Sequence, residues 1–277
     1  MRSLHTIALG DNYLQGTLPS QFGRLPTIEI IKLGNNALVG TLPKQWNRTP
    51  LAELDLDNNS VAGTLPSQWA AMTSFVSLTV RSNMVSGSLP PQWAALPKLH
   101  YLNVRGNLVR GSLPSEWGWL MSVATLDLAD NGLSGALPTQ WGSLHSLHHL
   151  VLRGNRLTHT LPSPWSSLSQ LVSLDLAHNL LTGTLPTSWE GMSALTTMNL
   201  SANSLRGPLP ALAKMKDCSF LLMQHNSFQG SLPTQWANMA SLRRIDFTSN
   251  ALTGTLPAAW GDLPLLVDMS FRDTHLS

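Results

Sequence analysis

Three histidines within five residues, His145, His148 and His149, mark the first place where a metal or acid–base site could lie. Metal ligands must converge on one point. In extended chain, consecutive side chains leave opposite faces, so His148 and His149 are expected to diverge. Asp55 and Asp57 are spaced by two and share a face; they could hold a cation weakly, or simply form a solvated acidic pair. Cys218 is the only cysteine, so no disulfide can form within the chain. It occupies a column filled elsewhere by Leu195 and Leu242, which suits a small buried hydrophobe. A nucleophile would need a neighbouring base and an exposed position. No glycine-rich phosphate loop, Gly-x-Ser-x-Gly elbow or His-Glu-x-x-His pair occurs. The expectation is a chain that is not an enzyme, with no cofactor and no metal.

Recognition is the chemistry left. Arg81, Tyr101, Asn103, Arg105, Asp127, His149, Arg153 and Asp175 stand in columns that vary from one repeat to the next, while the apolar columns do not. Tyrosine and arginine are enriched at binding hot spots, so these eight residues form a candidate site for a protein or glycan ligand. The plainer alternative is a set of solvated charge pairs, worth little.

The residues are positioned by an internal repeat, which must be sought first. Asparagine recurs at Asn12, Asn36, Asn59, Asn83, Asn107, Asn131, Asn155, Asn179, Asn203, Asn226 and Asn250, in steps of 24 residues with two of 23. Paired leucines such as Leu126 and Leu128 precede it, on one face of a short strand. The amide both donates and accepts, so the ladder Asn36, Asn59, Asn83, Asn107, Asn131, Asn155, Asn179 and Asn203 is expected to satisfy backbone groups of its own turn and of the next repeat. Glycine follows four residues later, as at Gly135; His159 breaks that column. Leu-Pro follows in all eleven repeats, and an aromatic stands three residues after the proline, from Phe22 and Trp46 to Trp260, with Ala213 the exception. That ring ladder suits packing on the side away from the strands; ligand stacking is the sharper alternative. Between Pro208 and Cys218 the repeat loses a residue as well as its tryptophan, which marks a weak spot or a bend.

The pattern Leu-x-x-Leu-x-Leu-x-x-Asn-x-Leu-x-Gly-x-Leu-Pro resembles the plant-type class of leucine-rich repeats, found in receptor-kinase ectodomains and polygalacturonase-inhibiting proteins. The step Gly63-Thr64-Leu65-Pro66-Ser67-Gln68-Trp69 is similar to repeats of kinetoplastid surface antigens of the promastigote surface antigen and proteophosphoglycan group. Those antigens often carry threonine in the asparagine column and cysteine-rich caps, and neither feature is present here. The resemblance implies an α/β-type repeat solenoid, a horseshoe or arc with a concave parallel β-sheet. It further implies about eleven 24-residue repeats, a second, shorter sheet, and short helical or 3-10 turns on the convex side. The eight candidate residues would then lie near the middle of the concave face.

Residues 1–277 are expected to form one solenoid domain, a fragment lacking both capping units. Charged residues make up only 12% of the chain, about half the usual share, and Ser, Thr, Gln and Asn cover the surface. This favours a cell-surface or secreted setting, with a membrane reached only through segments absent here. The formal charge of +2 comes without a basic tract, so nucleic acid is not the implied partner. Sequons at Asn47, Asn58 and Asn199 arise readily in such a composition and carry no weight. The expected function is a non-catalytic recognition scaffold at the cell surface. The alternatives are a ligand-sensing receptor ectodomain and an intracellular interaction scaffold.

Overall fold

The computed structural model describes residues 3–277 and divides the chain into two compact units, Met1–Ser134 and Gly135–Ser277. Each unit is built from the same coil. A three-residue strand opens the repeat, the asparagine turn follows, a second short extended segment follows that, and a 3-10 helix closes it.

In the first unit the opening strands are Thr6–Ala8, Ile30–Lys32, Glu53–Asp55, Ser77–Thr79, Tyr101–Asn103 and Thr125–Asp127. They pair in parallel and in strict register, with Leu54 beside Leu78 and Leu78 beside Leu102. In the second unit the strands run His149–Val151, Ser173–Asp175, Thr197–Asn199, Phe220–Leu222, Arg244–Asp246 and Asp268–Ser270. They too are parallel, with Leu174 beside Met198 and Met198 beside Leu221. A strand of three residues offers the core chiefly its central side chain, so each repeat depends on its neighbours for a core. Leu54, Leu78, Leu102, Leu126, Leu150 and Leu174 are all fully buried. A second set of parallel pairs follows the asparagine turn, such as Ala62–Thr64 with Met84–Gly87 in the first unit and Ser204–Gly207 with Ser227–Gly230 in the second.

Two columns tie repeat to repeat. Asn107 donates through Nδ2 to its own turn, at Val104 O (2.9 Å) and Arg105 O (3.2 Å), and also to Val80 O of the preceding repeat at 2.9 Å. Its Oδ1 accepts from Val85 N at 2.8 Å, again in the preceding repeat. Asn83 and Asn179 repeat the pattern. The asparagine therefore reaches backwards along the stack, not forwards into the next repeat. It there joins the preceding asparagine on one carbonyl, Val80 O, and pairs one N–H, that of Val85.

The second column is Leu-Pro-x-x-Trp. Proline supplies an extended N-cap, as at Pro66 (φ −70°, ψ 118°), and the helix Ser67–Ala71 starts at once. The Pro66 carbonyl accepts two bonds: from Trp69 N of its own helix (3.1 Å) and from the indole Nε1 of Trp93 in the next repeat (2.9 Å). The rings of Trp46, Trp69, Trp93 and Trp117 stack within 4° of parallel, 6.3–6.4 Å apart, and all are fully buried. This burial leaves no ring face for a ligand, so the ladder is packing. Gross burial of about 150–250 Å² per indole makes it the largest apolar contribution of each repeat.

Candidate functional site

The strand side of each unit carries the variable columns. Its residues come from two places: the ends of the opening strand, and the residue two positions before the asparagine. Strand pleating sends them away from the buried leucines.

In the first unit the candidates are largely engaged with one another. Asp57 accepts from Arg81 N at 2.6 Å and from the Thr79 hydroxyl, and the Arg81 guanidinium lies 3.7 Å from its other oxygen. Arg105 pairs with Asp130 at 3.0 Å. Asn103 is buried; its Nδ2 faces the Tyr101 hydroxyl at 3.4 Å and its Oδ1 accepts from Arg105 N at 3.0 Å. Lys32 pairs with Glu53 at 3.0 Å. Burial, against the help of the Asp57 N–H, raises the Asp55 carboxyl above the ordinary carboxylate range.

One arrangement recurs down this column and was not anticipated from sequence. The Asp or Asn between the paired apolar residues accepts from the backbone N–H two residues on. Asp55 does so to Asp57 N (2.9 Å), Asp127 to Ala129 N (3.1 Å), Asp175 to Ala177 N (3.0 Å) and Asp246 to Thr248 N (3.1 Å). These short side chains fasten the strand to its turn, the self-capping bond that Asp and Asn favour. Three of the eight candidates, Asn103, Asp127 and Asp175, thus serve the backbone at the same time. The residue just before the conserved-spacing asparagine adopts a left-handed conformation, as at Asn58 (φ 51°) and Asp130 (φ 52°). Its recurring Asn, Asp and Gly were the sequence signal for that turn.

In the second unit His149 is exposed on the strand side, and Arg153 is half-buried. Arg153 Nε is buried with no hydrogen-bond partner among the described residues, and the same holds for Gln224 Oε1. Both stand in the column two before the asparagine. Between them in that column lie Ala177 and Ser201, both buried and small. Two buried polar atoms without a partner thus stand three repeats apart in one column, with small residues between them. Sequence reasoning singled out Arg153 but not Gln224, whose side chain is unremarkable until its burial is seen.

The other candidate chemistries resolve simply. Among the described residues no group of three or more His, Cys, Asp or Glu side chains gathers as a metal site. His148 turns back to Ser146 O at 2.7 Å and His145 lies 3.4 Å from Ser167 O. Cys218 is buried, and that burial pushes its thiol up to about 12, far from a reactive thiolate. Among the described residues no helix is long and apolar enough to cross a membrane.

A leucine rich repeat family model matches residues 121–181 and 145–205. No curated protein sequence matches the chain. Among solved structures, a TDR receptor is 31% identical over 99% of this chain and 48% of its own, with a TM-score of 0.95. The plant peptide hormone receptor RGFR1 in complex with RGF2 is 26% identical, covering 99% of this chain and 48% of its own, at a TM-score of 0.89. The Arabidopsis receptor kinase HAESA, in complex with the peptide hormone IDA and the co-receptor SERK1, is 28% identical, covering 99% of this chain and 46% of its own, at 0.92. The chain therefore spans about half the length of these structures. Neither the family model nor these structures supports the narrower likeness to kinetoplastid surface antigens. The repeat spacing, the parallel strands closed by 3-10 turns and these likenesses together make the fold a leucine-rich-repeat solenoid that matches plant receptor ectodomains.

Proposed function

We propose that this chain is a non-catalytic, extracellular recognition scaffold, and that it binds an extended peptide along the strand side of the second unit. The observation that carries the reading is the pair of unpartnered atoms, Arg153 Nε and Gln224 Oε1, in one column of that side. A buried polar atom without a partner costs about 1–3 kcal/mol, and a ligand that supplies the missing partners recovers that cost. Arg153 Nε needs an acceptor and Gln224 Oε1 needs a donor. They are three repeats apart, about 14 Å at the spacing of neighbouring strands, a span that four or five extended residues cover. Ala177 and Ser201, between them in the column, carry no side chain long enough to project across that span. Two of the similar structures are receptors captured with peptide hormones, which supports a peptide as the ligand and a surface location. The chain spans about half of each of these receptors, so the proposal extends to the peptide alone and not to a co-receptor.

The test is selection of a displayed library of linear dodecapeptides on the full chain, followed by titration of the enriched peptides. The expected result is enrichment of sequences with an acceptor-rich end, and a loss of at least tenfold in affinity in both Arg153→Ala and Gln224→Ala. Retained affinity in both variants would overturn the placement, and no enrichment at all would overturn peptide recognition.

A further inference from the structure

A second surface, on the opposite part of the coil and wholly within the first unit, has the makings of a separate site. A groove of about 840 Å³ runs across three repeats between the second extended segments and the 3-10 helices. Pocket volumes of this order hold small ligands or short polymer segments. Its organisation is three parallel lanes. One wall is a lane of hydroxyls, Thr41, Thr64 and Ser88; the other is a lane of amides, Gln45, Gln68 and Gln92; the floor is a row of buried prolines.

The floor offers no hydrogen bonds, because the carbonyls of Pro43 and Pro66 are already filled by the indoles of Trp69 and Trp93. The walls are the reverse. Among the described residues, none of the six hydroxyl and amide side chains bonds to the rest of the protein, so every one is free to face a ligand. Both groups donate and accept.

Two of the three hydroxyls in that lane, those of Thr41 and Thr64, are also held in place. A Cβ added at Gly63 would lie 2.7 Å from the Cγ2 of Thr41, and one at Gly87 would lie 2.7 Å from the Cγ2 of Thr64. Each threonine methyl is therefore seated on the glycine of the next repeat. A β-branched side chain has few rotamers, so seating the methyl fixes the direction of the hydroxyl. A donor fixed before binding does not have to be ordered by the ligand.

From this geometry we propose that the groove binds one chain of an uncharged, linear polysaccharide. Like groups recur at each rung, about 4.8 Å apart, so the ligand must be a polymer with hydroxyls at a matching interval. A pyranose unit is of comparable length to a rung. An extended peptide advances about 3.3 Å per residue and falls out of step. Apolar ring faces of the sugar lie on the prolines while its hydroxyls meet both walls. Lys44 is the one charged residue along the groove, too little for a polyanion.

Calorimetric titration of the full chain with cellohexaose, mannohexaose and laminarihexaose tests this, with hexagalacturonate as the anionic control. At least one neutral hexasaccharide is expected to bind with a submillimolar Kd, and its disaccharide at least tenfold more weakly. Thr41→Val with Thr64→Val keeps the methyl contacts, so the fold should stand while affinity falls at least fivefold. Gln45→Ala with Gln68→Ala should do the same, and Arg153→Ala should change nothing, which keeps this site distinct from the peptide surface. The proposal is overturned if no neutral hexasaccharide binds, if both double variants bind like the parent chain, or if hexagalacturonate binds best and Lys44→Ala abolishes it.

Discussion

Two neighbouring turns of the second unit close the same coil with different residues. In Thr187–Gly191 the helix forms, Trp189 is fully buried, and its indole donates to Pro162 O of the preceding repeat at 2.9 Å. In the stretch from Pro208 to Cys218 no helix forms, and Leu212, at a φ of 45°, takes the place of the indole: its carbonyl accepts from Met215 N as that of Trp189 accepts from Met192 N. Leu212 is buried there, Ala213 beside it is half-buried, and Met215 keeps the column of Met192 and Met239. Pro186 O keeps its own Trp189 N–H but receives no indole. Yet the strands on either side stay in register, Thr197 with Phe220 and Phe220 with Arg244. The contrast separates two jobs: the strand side sets register, and the tryptophan column fastens one turn to the next.

Removing the fastener where nothing replaces it should give the largest effect. Trp189→Ala empties a packed site and removes one of the two bonds that the Pro162 carbonyl accepts, and is expected to cost about 3–5 kcal/mol. Urea unfolding followed by circular dichroism measures it. A cost below about 1 kcal/mol would mean that the irregular turn is as good a solution as the regular one.

If register is held by the strand side, the asparagines should matter most where the indole is missing. Asn226 bridges the irregular repeat: its Nδ2 reaches Leu200 O at 3.0 Å and its Oδ1 accepts from Leu205 N at 3.0 Å. Asn179 makes the same bonds between two regular repeats. Either alanine variant leaves buried backbone groups unpaired, at about 1–3 kcal/mol each. Asn226→Ala should additionally split the unfolding curve, because interfaces in a repeat array contribute separately to its cooperativity. A single transition in Asn226→Ala, with the same slope as in Asn179→Ala, would break the proposed division of labour.

How much of this was legible in the sequence follows the same division. The leucine, asparagine and tryptophan columns fill the core, so each tolerates one residue type and the period shows through. Ala213 flagged the irregular turn because it interrupts such a column. The direction of the asparagine bonds was not legible, since a side chain that can both donate and accept does not say which neighbour it faces. Nor was Gln224, because burial of one side-chain oxygen is a property of the packed stack and leaves no mark on the residue type. The hydroxyl and amide lanes lay in plain view as Gly-Thr-Leu-Pro-x-Gln, but their meaning required knowing that the prolines and tryptophans between them were already satisfied.

The break in the glycine column sharpens the comparison at a smaller scale. Gly183 has a φ of 83°, and a Cβ there would lie 2.7 Å from the Cγ2 of Thr160. His159 holds a similar φ of 67°, and the preceding repeat offers Ala136, which has no γ carbon to collide with. Gly183→Ala should therefore cost about 1–2 kcal/mol for the left-handed backbone plus the collision. Adding Thr160→Ala should recover the collision part, a coupling visible in a double-mutant cycle. His159→Gly should change stability by less than about 1 kcal/mol. Strict additivity of the Gly183 and Thr160 changes would show that the backbone angle alone requires glycine.

The smallest effect is local opening at the irregular turn, and Cys218 reports it. Its thiol is fully buried and raised to about 12, so at pH 8 it cannot react from the closed state; labelling needs an opening that returns it to about 8.5. Leu195 holds the same column beside the Trp189 turn and is equally buried. A disulfide-exchange reagent should label native Cys218 at least tenfold faster than Leu195→Cys placed in a Cys218→Ala background. Because the opening is confined to one turn, the Cys218 rate should also depend only weakly on urea, as sub-global openings do. Equal rates at the two positions, both rising with urea as steeply as global unfolding, would mean that losing the indole alters the shape of the turn without loosening it, and that the strand side alone holds the repeats together there.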